Sequence, residues 1–302
     1  MSAFSFHCFF VFAAGAFALG ACIASFLNVC IWRIPRGESV VRPPSHCPKC
    51  GAPIRWWQNI PIASWCCLRG RCARCREPIS ARYAVVEALG GVLFLAVFLQ
   101  WATGALLRGP TVLGMCPLRE FWAVPAGWAI VAWLMVMAFI DLEHAAFPSN
   151  LLYWGMAAGP LLAWAVPELQ GEQERVQGLL WSLGGEAVGF ASLGLVRVVG
   201  TKAVRRWKRD DTLEALGDGD PYFLAAVGGF FGPLAAVFTI MASSFAGALA
   251  GLALVARGRV RLGGCTAVPY GPFLALGAGV WMLWGPAIVR WYLSLGAGWA
   301  AR

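Results

Sequence analysis

Two groups of residues in this 302-residue chain have the types and spacing to carry chemistry. The first is Cys47-Pro48-Lys49-Cys50, followed after 21 residues by Cys72-Ala73-Arg74-Cys75. Two C-x2-C pairs are the thiolate spacing of a zinc ribbon or knuckle, where each tight turn offers two sulfurs to one tetrahedral ion. Gly51 suits the turn after the first pair, and the arginines around the second favour thiolate over thiol. Four protein ligands fill every place around the ion, so zinc here is expected to be structural. Cys66 and Cys67 lie between the pairs, but a vicinal pair closes the same site poorly, and both are expected to pack. Cys8, Cys22, Cys30, Cys116 and Cys265 fall in or beside apolar runs, where a free cysteine acts as a small buried hydrophobe.

The second group is acidic. Asp141 ends the apolar run in Phe139-Ile140-Asp141, ahead of Leu142-Glu143-His144 and Pro148, and Asp220 closes Gly217-Asp218-Gly219-Asp220. Two close carboxylates cannot both ionise cheaply, so they share a proton; one then acts as base on a water while the other polarises a peptide carbonyl. That is aspartic-protease chemistry. Glycines at 217 and 219 let the backbone approach a substrate or a neighbouring helix closely. The plainer alternative is that Asp220 caps a helix ahead of Pro221 and Asp141 solvates a helix end, and spacing alone does not choose. Glu87 and Glu186 also lie in apolar runs; Glu87 is expected to snorkel toward the interface, and Glu186 has no assigned role. A metal site at Asp141, Glu143 and His144 lacks a second clustered histidine, since His7 and His46 lie elsewhere.

These groups must be positioned by membrane helices. The chain is 59% hydrophobic and 13% charged, with mean hydropathy +0.67, against roughly 25% charged in a soluble domain. Too few polar side chains remain to coat a globule, which excludes a soluble enzyme. Crossing the hydrocarbon takes about 20 helical residues. Apolar runs near that length occur around residues 8–32, 84–103, 121–140, 150–167, 178–198, 221–238, 239–256 and 271–289. The expected fold is an all-α polytopic membrane protein of about eight transmembrane helices with a small zinc-binding cytoplasmic loop domain. The first helix occupies 1–32, the four-cysteine loop 33–83 and a helical membrane core 84–302. The first run is too long for a signal peptide and lacks its basic start and cleavage motif, so it reads as a retained helix. No internal repeat is evident.

Ten of the 24 basic residues fall between 33 and 83, against only Glu38 and Glu77. Six more stand at Arg197, Lys202, Arg205, Arg206, Lys208 and Arg209, and Arg257, Arg259 and Arg261 form a third cluster. With eight spans all three clusters lie on one side, which lysine and arginine excess marks as cytoplasmic. Asp141 and Asp220 then sit at one membrane level. Trp56 and Trp57 beside these arginines resemble a nucleic-acid surface, but topology already accounts for the charge, so no nucleic-acid partner is expected.

The run Ala24-Ser25-Phe26-Leu27-Asn28-Val29, then Arg33-Ile34-Pro35-Arg36-Gly37-Glu38-Ser39 and Arg42-Pro43, resembles the start of the prepilin peptidases, or type IV leader peptidases. His46 to Cys50, Asn59-Ile60-Pro61, Ser64-Trp65, Arg69-Gly70-Arg71-Cys72, Cys75, Pro78-Ile79-Ser80, Arg82-Tyr83 and Glu87 match that family's cytoplasmic zinc loop in order. Asp141 with Pro148, Gly217 to Asp220, and Tyr270-Gly271-Pro272-Phe273 resemble its two aspartate motifs and its last-helix signature. The resemblance implies a GxGD-type intramembrane aspartyl protease of the bacterial inner membrane, with Asp141 and Asp220 catalytic. It implies cleavage of the basic leader of prepilins or pseudopilins, after a glycine. The complete cysteine loop implies a second activity, N-methylation of the new terminus with S-adenosylmethionine; the residues that hold the donor do not follow from the sequence, since no Gly-rich nucleotide loop follows a strand, and Glu38 and Arg42 are named only as candidates. Two positions depart from the pattern. Pro221-Tyr222 replaces the usual Val-Lys, leaving that lysine's contact to another residue such as Lys208, and Ser149 replaces an Asp or Asn.

Overall fold

The computed structural model describes residues 3–106, 122–258 and 269–300. Cys116, Cys265, Arg259 and Arg261 lie outside the described residues. The chain divides into two compact units, Met1–Val136 and Met137–Arg302.

In the first unit, α1 (Ala3–Arg33) packs along α3 (Arg82–Leu106). Asn28 on α1 donates its side-chain amide to the Tyr83 carbonyl at 3.3 Å. The polypeptide between them carries the cysteine pairs and one short helix, α2 (Ala63–Cys67). Pro35 and Gly37 end α1: a single 3₁₀ turn follows Arg33, and Gly37 closes it at φ +68°, a conformation glycine adopts without penalty. The first half of α4 (Ala123–His144) completes this unit, with Trp128 stacked on Phe94 at 5.3 Å and its indole N–H on the Phe94 carbonyl.

The second unit holds the end of α4 and five further helices: α5 (Ser149–Ala165), α6 (Arg175–Lys208), α7 (Asp220–Phe231), α8 (Pro233–Ala256) and α9 (Gly271–Ala300). Its centre is α7, which packs against α5, α6, α8 and α9. Every residue of α7 except Tyr222 is buried. Small residues permit this. A Cβ on Gly185 of α6 would stand 2.0 Å from the Gly228 carbonyl oxygen, and one on Gly228 would stand 2.1 Å from the Gly185 oxygen. Backbone-to-backbone contact of this kind is how helices associate in lipid, where apolar side chains gain little by leaving one hydrocarbon environment for another.

The protein is a nearly all-helical, multi-pass membrane protein, with no strand among the described residues. Among the described residues, eight apolar helices match the eight runs, yet six of them are long and apolar enough to cross a bilayer. The exceptions are α5, 17 residues long, and α7, 12 residues long. At 1.5 Å per residue these reach about 26 Å and about 18 Å, short of the roughly 30 Å hydrocarbon core. The expected boundary between runs 221–238 and 239–256 falls instead at Gly232. This residue has φ +86° and ψ 176° and precedes Pro233, whose ring disfavours a helical residue before it. By contrast α6 has 34 residues, about 51 Å of helix, and its basic last turn runs beyond any apolar layer.

Candidate active site and metal centre

The four paired cysteines come together. The Sγ atoms of Cys47, Cys50, Cys72 and Cys75 lie within 4.8 Å of one another, with Cys47 and Cys75 at 3.8 Å. Zinc–sulfur bonds of about 2.3 Å in a tetrahedron require sulfurs about 3.8 Å apart, so the donor set fits that ion. Each pair sits on the same turn, repeated 25 positions later. Cys47 N–H donates to Ala52 and Gly51 N–H to Cys47; likewise Cys72 donates to Glu77 and Arg76 to Cys72. Bridges His46 to Pro53 and Arg71 to Pro78 close the two turns, and Gly51 and Arg76 both take positive φ. The loop therefore contains a structural repeat that the sequence did not reveal. Lys49 of the first turn pairs with Glu77 of the second.

The thiols divide unequally. Backbone N–H groups of Cys75 and Arg74 bring Cys72 down to about 6, and those of Cys50 and Lys49 lower Cys47. The Glu77 N–H favours the Cys75 thiolate, but desolvation and the sulfurs of Cys72, Cys50 and Cys47 outweigh it and push Cys75 up to about 11. Four thiolates this close repel one another unless a cation lies among them. Cys66 and Cys67, expected to pack, are both exposed.

The acidic pair is assembled from three parts of the second unit. Asp141 is three residues from the end of α4 and Asp220 is the first residue of α7; they are 5% and 4% exposed. Asp141 Oδ2 accepts the Gly271 N–H at 2.8 Å, reaching across 130 residues to the start of α9. Asp220 Oδ2 accepts the Gly217 N–H at 2.9 Å. The carboxylates are close enough for Asp141 to act on the charge of Asp220. Neither behaves as a simple cap. The N-cap of α7 is Gly219, and the Asp220 side chain turns back to the loop instead of serving the helix. Each carboxylate thus has one oxygen fixed by a glycine N–H.

Phe147 was not singled out in the sequence, yet it joins both aspartate segments. A Cβ on Gly219 would meet its ring at 2.6 Å and one on Gly271 at 2.4 Å, and the ring stacks on Phe223 of α7 at 5.3 Å. The same Cβ on Gly271 would stand 2.7 Å from Asp141 Oδ2, so glycine is needed there. Tyr270 anchors this turn by a 2.6 Å hydrogen bond between its hydroxyl and that of Ser243 on α8. Arg197 of α6 pairs with Asp218, two residues ahead of Asp220, and reaches Glu214 at 3.7 Å. Tyr222 turns to Tyr153 and Phe190 in edge-on contacts.

The remaining acids have distinct environments. Glu87 does not snorkel: it is 8% exposed, and its Oε2 accepts the Ile62 N–H at 2.7 Å. Glu186 lies against Gly159 and Gly229, its Oε1 buried without a hydrogen-bond partner.

Residues 18–101 match the family described as the bacterial peptidase A24 N-terminal domain, and residues 128–252 match the type IV leader peptidase family. A prepilin leader peptidase/N-methyltransferase of Myxococcus xanthus is 39% identical over 253 residues, covering 82% of this chain and 65% of that protein. One of the same description from Aeromonas hydrophila is 32% identical, covering 92% of each chain. A type 4 prepilin-like proteins leader peptide-processing enzyme of Escherichia coli is 32% identical, over 85% of this chain and 88% of its own length. No solved structure matches the chain.

Proposed function

The chain belongs to the type IV leader peptidase family, and on that premise we propose that it is an aspartic endopeptidase with Asp141 and Asp220 as its catalytic pair. Its substrates are prepilins or pseudopilins, whose basic leader is removed after a glycine at the cytoplasmic face of the bacterial inner membrane. The observation that carries this reading is the buried pair itself, each carboxylate held through one oxygen by a backbone N–H of glycine. Fixing one oxygen of each sets the orientation of the other. The pair shares a single proton: the ionised carboxylate takes a proton from water as it attacks the scissile carbonyl, and the protonated one donates to the carbonyl oxygen. Gly271 and Gly217 keep both groups aligned without reorganisation during the reaction. The topology suits such a substrate, since a basic leader stays on the side of the basic loops while the following apolar segment lies in the bilayer.

Residues 33–83 form the methyltransferase-associated loop, stapled by zinc on Cys47, Cys50, Cys72 and Cys75. The ion is structural, because all four places are taken by protein. The second activity is N-methylation of the new terminus. S-adenosylmethionine, when bound, supplies a methyl group on a positively charged sulfur that an amine can displace.

The test is co-expression with a prepilin, reading the N-terminal mass of the product for the wild type, Asp141→Asn and Asp220→Asn. Uncut substrate in both variants, and a cut product carrying one additional methyl in the wild type, is the expected result. Cleavage persisting in either variant would overturn the pair.

A further inference from the structure

A cavity of about 330 Å³ lies in the first unit, between one face of α1 and the loop segments 40–45 and 59–61. That volume is within the 300–1,000 Å³ of small-molecule sites. On α1 its lining follows helical spacing through Ser25, Phe26, Val29 and Arg33. Arg33 is only 9% exposed, and its two terminal nitrogens donate to the carbonyls of Ser39 and Pro43 at 2.9 and 2.8 Å. These bonds fold the 39–43 segment over the guanidinium and hold it still, while three of its five N–H donors stay uncommitted. The other wall is held with equal firmness. Asn59 and Pro61 precede Ile62, the centre of a γ-turn at φ +63° and ψ −54° whose N–H is taken by Glu87. Positive φ costs a β-branched residue about 1–3 kcal/mol, and such strain concentrates at ligand clamps. The side chains of Ser25, Ser45 and Asn59 have no hydrogen-bond partner among the described residues.

A fixed guanidinium, three unpartnered polar side chains and an apolar wall of Phe26 and Val29 are the complement of an amino acid joined to a nucleoside. We propose that this cavity is the binding site of the methyl donor, with Arg33 holding its carboxylate, Ser25, Ser45 and Asn59 meeting its hydroxyl and amine edges, and Phe26 and Val29 covering its apolar faces. The assignment rests on the methyltransferase reading above. Glu38 and Arg42, the charged residues suggested by the sequence, are not among the lining residues. No carboxylate lines the cavity, so nothing there selects for the sulfonium charge. The neutral demethylated product, S-adenosylhomocysteine, therefore binds at least as tightly as S-adenosylmethionine.

Equilibrium dialysis of the detergent-solubilised full chain with labelled S-adenosylhomocysteine tests the assignment, using zinc content and a monodisperse elution profile as controls of folding. Val29→Trp fills the cavity, and Asn59→Ala removes one polar partner while leaving the chain path alone. Binding is expected to vanish in the first and to fall about tenfold in the second, the effect of one lost hydrogen bond. A folded Val29→Trp protein that binds like the wild type, alongside a wild type that methylates, would overturn the cavity and leave the methyltransferase reading intact. A wild type that neither binds nor methylates would overturn that reading, and the cavity assignment with it.

Discussion

Glu87 accepts the backbone N–H of Ile62 at 2.7 Å, so an acid near the start of a membrane helix pins a strained backbone turn in the cysteine loop. A hydrogen bond contributes about 0.5–1.5 kcal/mol net, within the range of the strain this one holds. Glu87→Ala is expected to let the turn relax, with faster hydrogen exchange across residues 59–66 and earlier proteolysis of the loop. Ile62→Gly in that background should restore protection, since glycine takes the same turn without strain. Unchanged exchange in Glu87→Ala would show that the contact holds nothing.

Gly271→Ala places a methyl group 2.4 Å from the Phe147 ring and 2.7 Å from Asp141 Oδ2. Something must move by about an ångström, and displacement of a reacting group on that scale costs on the order of 100-fold in rate. Leader cleavage should fall by that factor while the protein remains folded. Phe147→Ala combined with Gly271→Ala should recover part of the loss, because the ring is the nearer obstacle.

Arg197 pairs with Asp218 inside the loop that delivers Asp220. Asp218 is 80% exposed, so solvent screening limits the pair to about 0.2–1 kcal/mol. Arg197→Ala should therefore slow cleavage by less than about tenfold, far below the effect of either aspartate. A loss approaching that of Asp220→Asn would show that Arg197 acts on the catalytic charge directly.

Metal loading should weaken as pH falls. Cys72 is lowered to about 6 and Cys47 is lowered as well, so both favour the folded, ionised loop above the ordinary thiol range, and that contribution is lost as pH drops through about 6. Cys75, raised to about 11, must give up its proton to the ion at neutral pH. Zinc binding thus releases protons, and competition with a chromophoric chelator should report weaker binding at pH 6 than at pH 8. Cys72→Ser should lower zinc content at both values. Affinity independent of pH would be inconsistent with a thiolate site.

Gly185→Leu and Gly228→Leu should each prevent recovery of folded protein, because the incoming side chain meets a carbonyl about 2 Å away. Gly194→Ala on the same helix has nothing within 4 Å and serves as the control. Detergent-stable yield by size exclusion distinguishes them.

Much of this was legible in the residues. Apolar runs marked the eight apolar helices among the described residues because lipid imposes length and composition together, and the cysteine pairs marked their own cluster because two short turns need little else. The break at Gly232-Pro233 was masked by hydropathy that continues unbroken through it, though Gly-Pro is itself a turn signal. The repeated knuckle stayed hidden because its two copies share mainly cysteines and a closing proline, while Gly51 in one copy corresponds to Arg76 in the other. The bond from Asp141 to Gly271 spans 130 residues, and local pattern carries no information about such a distance. Phe147 looked like one more apolar residue before a proline.

The shortness of α7 bears on how the molecule is made. A segment of 12 residues cannot be inserted and held in a bilayer on its own, since it leaves its ends in hydrocarbon with backbone groups unsatisfied. Its place exists only once α5, α6, α8 and α9 surround it. Asp220 rides on its first turn, so the second carboxylate reaches its station at the last stage of assembly. On the proposed reading, a partly assembled chain holds Asp141 without its partner carboxylate, and the pair forms only as these helices come together.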